Sequence, residues 1–87
     1  MNLYFQQTCQ ACPQQYDVLD LDDNEKTVGY IRLRWGILRC QVPDVGGKTI
    51  YSHDFDDGLQ GIFDTQEQED LHLGNIRRAL EEHYGIQ

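Results

Sequence analysis

Apolar positions in residues 28–42 (V-G-Y-I-R-L-R-W-G-I-L-R-C-Q-V) alternate as Ile31, Leu33 and Trp35, slip by one residue at Gly36, and resume as Leu38, Cys40 and Val42. A strand running straight through the slip would turn half of these side chains to the wrong face. A reversal at Trp35-Gly36 instead opposes Leu33 with Leu38, Ile31 with Cys40, and Gly29 with Val42, so that all six share one face. Tyr30, Arg32 and Arg34 then lie opposite Gln41, Arg39 and Ile37 on the other face. The pattern predicts a β-hairpin with an apolar inner side and a basic outer side. Tryptophan is a poor residue for a turn position with φ > 0, which leaves a bulged long strand as the competing expectation.

The flanking segments extend the same sheet. Residues 16–22 (Y-D-V-L-D-L-D) alternate loosely before the polar turn Asp23-Asn24-Glu25-Lys26. An odd-length loop there places Leu19 and Leu21 beside Ile31 and Gly29, and sends Asp20 and Asp22 to the outer face near the arginines. Residues 43–48, with Pro43, Gly46 and Gly47, read as a loop. The β-branched and aromatic residues 49–53 read as a further strand. Residues 54–64 form an acidic loop with two glycines and the bulky anchors Phe55, Leu59, Ile62 and Phe63.

The last element is a helix. Asp64 with Glu67, or Thr65 with Gln68, forms a capping pair. Leu73, Ile76, Leu80 and Tyr84 recur at helical spacing with Ala79 beside them, and Gly85 is the stop signal. Gly74 weakens the helix and suggests close approach to the sheet. The expected architecture is α+β: an antiparallel β-meander of about four strands with one C-terminal α-helix packed on its apolar face. Residues 1–15, uncharged and glutamine-rich, are expected to be a flexible leader, and residues 16–87 a single domain.

Charge and size narrow the functional classes. The formal net charge is −8 for 87 residues, yet residues 27–53 carry Arg32, Arg34, Arg39 and Lys48 against Asp44 alone. The overall field disfavours duplex DNA, whose binding rests on phosphate neutralisation. No apolar run reaches the ~20 residues of a membrane span, and the N-terminus lacks the features of a secretory signal. Three cysteines, an odd number, suit a reducing compartment, so a cytoplasmic protein is expected.

Several constellations invite chemistry. Arg32 and Arg39 stand directly opposite each other, a destabilising arrangement unless acids on the neighbouring strand or an anionic partner offset it. Tyr30, Arg32, Arg34, Trp35 and Arg39 are therefore the candidate binding residues, since Tyr, Trp and Arg are the types enriched at interaction hot spots. Cys9 and Cys12 have zinc-knuckle spacing but no second pair, and Cys40 reads as a small core side chain. The acidic stretches 20–25 and 54–58 both fail the EF-hand pattern. Ser52, His53 and Asp54 are neighbours on a strand, so they point to alternate faces and cannot form a triad. Gly46-Gly47-Lys48 lacks the spacing of a phosphate loop.

No enzyme, cofactor or metal site is expected from these residues. The favoured function is a small acidic interaction module, an inhibitor or accessory factor of the kind mobile elements carry, with a protein as its partner. Self-association is also expected, through the uncharged edge at residues 49–53. Two alternatives remain: a small-ligand or weak metal-binding domain using the loop 54–64 and His53, and a single-strand nucleic-acid binder on the basic hairpin face.

Overall fold

In the computed structural model, which describes residues 1–10 and 13–86, five consecutive antiparallel strands lie side by side in sequence order. They are β1 (Leu3–Cys9), β2 (Gln14–Asp20), β3 (Lys26–Arg34), β4 (Ile37–Val42) and β5 (Lys48–Asp54), followed by the helix α1 (Gln66–Tyr84). The fold is the expected α+β meander with one additional strand. The β3–β4 hairpin has the register that the alternation dictates: Leu33 opposes Leu38, Ile31 opposes Cys40 and Arg32 opposes Arg39. Trp35 (φ 56°) and Gly36 (φ 73°) both take left-handed conformations, the pattern of a two-residue type I′ turn. No bulged long strand is present at this point.

The expected leader differs most from what is found. Residues 3–9 form an edge strand paired with β2, and Gln14 and Gln15 belong to β2 itself. The strand forms because Leu3 and Phe5 alternate onto the inner face opposite Asp20 and Val18. Leu3 is buried, and Phe5 packs against the core. Arg77 of α1 lies over the Phe5 ring at 4.5 Å and donates to the Leu3 carbonyl at 3.1 Å. Strand chemistry here comes from apolar alternation, which the absence of charge concealed.

The register of β2 also departs from expectation. Tyr16 and Val18, rather than Leu19 and Leu21, lie beside Ile31 and Gly29. The strand begins earlier in the sequence, and a bulge at Val28 shifts the pairing between Val18 and Leu19. Asp20 and Asp22 therefore do not face the arginines. Asp20 Oδ1 accepts from the backbone N–H groups of Asn2 and Asp22, each at 3.0 Å. Those bonds, the Asn2 contact foremost, hold its carboxyl below the usual range. Asp22 meets the Met1 amine at 3.4 Å.

One continuous core joins sheet and helix. Val18, Ile31, Leu33, Leu38, Cys40, Ile76 and Leu80 are fully buried, with Leu73 and Tyr84 packed against them. Burial pushes the Cys40 thiol up to about 12. The Tyr84 hydroxyl donates to the Val28 carbonyl. Of the two capping pairs, Thr65 is the N-cap: its Oγ1 accepts from the Gln68 N–H at 3.0 Å. Gln68 Oε1 in turn accepts from the Asp64 N–H at 2.8 Å. Gly85, at φ 70°, closes the helix. Gly74 does not mark a close approach, because a Cβ there would meet nothing within 4 Å. That role falls to Gly29, where a Cβ would stand 3.2 Å from Val18 and 3.3 Å from Leu80.

Near its N-terminal half α1 buries His72 among aromatic rings. His72 Nδ1 is 2.9 Å from the Tyr51 hydroxyl, and the His53 and Phe55 ring centroids lie at 4.5 and 4.9 Å. Burial, and secondarily the neighbouring His53, lowers the His72 pKa. The free edge of β5 carries a bulge at Ile50, because Tyr51 pairs with Cys40 and Thr49 with Gln41. The edge expected to self-associate is thus interrupted at its middle. Among the described residues no helix is long and apolar enough to cross a membrane.

Three stability outcomes follow from this packing. Leu80→Ala removes a fully buried side chain and should cost about 2–5 kcal/mol in urea denaturation. Gly74→Ala should gain about 1 kcal/mol in the same assay, since it removes helix-interior backbone freedom into open space. The third outcome concerns pH. The unfolded chain holds the His72 proton more tightly than the fold does, so stability should rise with pH from the lowered value to the ordinary imidazole value of about 6.5. Midpoints compared at about pH 7 and about pH 5 should therefore fall on acidification, and His72→Gln should flatten the difference.

Candidate functional site

The outer face of the hairpin owes its shape to the loop that follows β5. Gly36 N–H donates to the Gln60 carbonyl at 2.7 Å, and Phe55 N–H donates to the Gly36 carbonyl at 2.9 Å. A Cβ on residue 36 would stand 1.8 Å from the Asp57 carbonyl oxygen, so glycine is required for packing as well as for φ. The loop is itself anchored. Gln60 Nε2 donates to the Ile62 carbonyl at 3.0 Å and to Gln68 Oε1 at 3.1 Å. Gln14 N–H donates to the Gly61 carbonyl at 2.7 Å, and Gln14 Oε1 accepts from Phe63 N–H at 3.0 Å. The turn is thereby tied to β2 and to the start of α1.

This clamp turns Trp35 outward. Its side chain is 61% exposed in spite of its size, and Leu59 beside it is 82% exposed. Arg34 lies over the indole with its guanidinium carbon 5.3 Å from the ring centroid. Pro13, Arg34, Trp35 and Leu59 enclose a hollow of about 210 Å³. On the other side of Trp35 a second hollow of about 180 Å³ is lined by Arg32, Arg34, Trp35, Ile37 and Arg39. Four of the five expected binding residues thus meet around one depression. Tyr30 lies one step along β3; its hydroxyl donates to Gln15 Oε1 and its pKa is raised by burial.

The opposed arginines have no acid directly across from them on the flanking strands. Gln15 stands across from Arg32, Asp17 across from Tyr30, and Ser52 across from Arg39. Among the described residues the one ion pair joins Met1 to Asp22. Asp17 on β2 and Asp54 on β5, which faces Ile37, border the basic strip without forming an ion pair with it.

Sequence reasoning missed Pro13, Ile37 and Leu59. Of the four expected anchors of the loop, Phe63 is buried and Phe55 packs against the core, but Leu59 and Ile62 are exposed, and Gln60 and Gly61 are buried instead. The signal was the Asp57-Gly58 turn: Asp57 Oδ1 accepts from Leu59 N–H at 3.0 Å, which directs Leu59 outward.

The other constellations are more dispersed. Asp54 Oδ1 accepts from Asp56 N–H at 2.8 Å, so two carboxylates of the acidic loop shape backbone turns. Among the described residues no three His, Cys, Asp or Glu side chains converge as metal ligands would. Cys9 is half-buried at the end of β1, and Cys12 lies outside the described residues. Ser52 and Asp54 lie opposite outward Arg39 and Ile37, whereas His53 lies opposite buried Leu38 and packs on His72.

Comparison with known proteins finds no matching family model, no matching curated protein and no matching solved structure.

Proposed function

We propose that this protein is a small non-enzymatic interaction module, an inhibitor or accessory factor, that binds a macromolecular partner through the outer face of the β3–β4 hairpin. The observation that carries the reading is the set of three guanidiniums that form no ion pair among the described residues, placed around a tryptophan held outward by its own turn. Arg32 and Arg39 directly opposite each other are unfavourable in the free protein. An anion delivered by a partner removes that cost and leaves planar, charge-assisted contacts in its place. Trp35 and Leu59 add apolar area beside the charges, the mixture found at interaction hot spots.

The double variant Arg32→Gln/Arg39→Gln separates binding from folding. Its stability should stay within about 1 kcal/mol of wild type, or rise, because no ion pair is lost and one repulsion is relieved. Capture of the partner from source-cell extract, compared quantitatively between wild type and variant, should fall about 30-fold to several-thousand-fold. A variant that folds normally and retains its partner within a few-fold would move the interaction site away from this face.

A further inference from the structure

Resting on that reading of the outer face, we propose that the partner is a protein, recognised by carboxylate side chains flanking a bulky apolar one, and not a nucleic-acid strand. The site has two chemically distinct halves. In the first, Pro13, Trp35 and Leu59 line the hollow of about 210 Å³ together with Arg34. Leu59 and Trp35 are large apolar side chains left in water side by side. Such contiguous exposure marks protein contact surfaces, and an aliphatic side chain offers a base no plane to stack on. Trp35 is the chain's only tryptophan, and Tyr30, the other aromatic of this face, is half-buried with its hydroxyl bonded to Gln15, so the face presents one well-exposed aromatic plate where strand-binding grooves use a series.

The second half is basic. Arg32, Arg34 and Arg39 line the hollow of about 180 Å³ together with Trp35 and Ile37. Guanidinium forks match carboxylates two bonds at a time. Asp17 on β2 and Asp54 on β5 bound the strip on either side, three strand spacings apart or about 15 Å. Asp56 and Asp57 follow in the loop that carries Leu59. A nucleic-acid backbone bears a charge at every residue and has to continue past these acids. Discrete carboxylates stay within the arginines. The net charge of −8 acts in the same direction, repelling a polyanion at long range while leaving a local pair unaffected once screened.

The test selects a displayed library of random peptides on immobilised wild-type protein, with a thymidine oligonucleotide as the second probe. Trp35 fluorescence reports occupancy by either. Enriched peptides should carry Asp or Glu beside Leu, Phe or Trp, should shift Trp35 emission, and should bind less tightly as salt rises. Leu59→Ser and Arg32→Gln/Arg39→Gln should each weaken them by about 30-fold or more, and the oligonucleotide should not displace them. Arginine-dependent binding of the oligonucleotide with displacement of the peptides would leave the face in place and overturn the partner class. Enriched peptides without acids, or ones indifferent to Leu59→Ser, would do the same. Peptides insensitive to both substitutions, or no enrichment at all, would overturn the reading of the face and this inference together.

Discussion

The two backbone hydrogen bonds that Gly36 makes with residues 55 and 60 fix the end of the central hairpin, and the side assignment of its neighbours follows from them. Side chains on paired strands alternate with a period of two, so the placement of the turn decides which of them reach the core. With Trp35-Gly36 at the tip, Ile31, Leu33, Leu38 and Cys40 point inward together and the three arginines point outward together. The same loop crosses to β2, where Gln14 uses its backbone and its side chain to hold residues 61 and 63. Moving the turn by one residue would break the clamp and expose the core in a single step.

Core and site draw on this arrangement in opposite ways. Inside, apolar alternation and the helix stripe reinforce one another, and the polar groups at the core edge are paired. Gln14 Nε2 donates to the Tyr16 hydroxyl at 2.7 Å and to Glu69 Oε2 at 2.9 Å. Burial and the Glu69 carboxylate both raise the Tyr16 pKa, so the hydroxyl stays protonated. Outside, the same strands leave like charges face to face and a bulky residue at positive φ. A non-glycine residue in the left-handed region costs about 1–3 kcal/mol. That is an appreciable share of the roughly 5–15 kcal/mol that stabilises a domain. The hydrogen bonds of the clamp, each contributing about 1 kcal/mol, offset that strain.

Much of this arrangement was legible from residue order, because the informative signals were local. The slip at Gly36 is visible in six residues, and the helix announces itself through Thr65, its i, i+3, i+4 stripe and Gly85. What stayed hidden depends on parity or on distant partners. The bulge at Val28 reverses the alternation without any marker in composition, which is why Asp20 and Asp22 were expected beside the arginines. β1 carries its strand signal in Leu3 and Phe5, but an uncharged Gln-rich segment reads as a leader until α1 supplies the Arg77 contact. Leu59 is apolar in sequence and exposed in space, because a turn made by Asp57 decides its direction. Burial of Gln14 and Gln60 is equally invisible, since each is stabilised by groups tens of residues or one element away.

The register of β2 decides the character of the basic face. Had Asp20 and Asp22 lain across from Arg32 and Arg34, the basic face would be a surface ion-pair network contributing little energy and requiring no ligand. Instead Asp20 is committed to closing the β1–β2 end of the sheet, and glutamine, serine and tyrosine occupy the positions beside the arginines. These neighbours accept or donate hydrogen bonds but carry no compensating charge. The hairpin therefore keeps a positive strip without ion pairs among the described residues, on a strongly negative protein, next to an aromatic side chain that its own turn prevents from folding inward. Both features are unfavourable in isolation, and both are relieved by an anion with apolar surface beside it, so the sites of local strain coincide with the site of proposed binding.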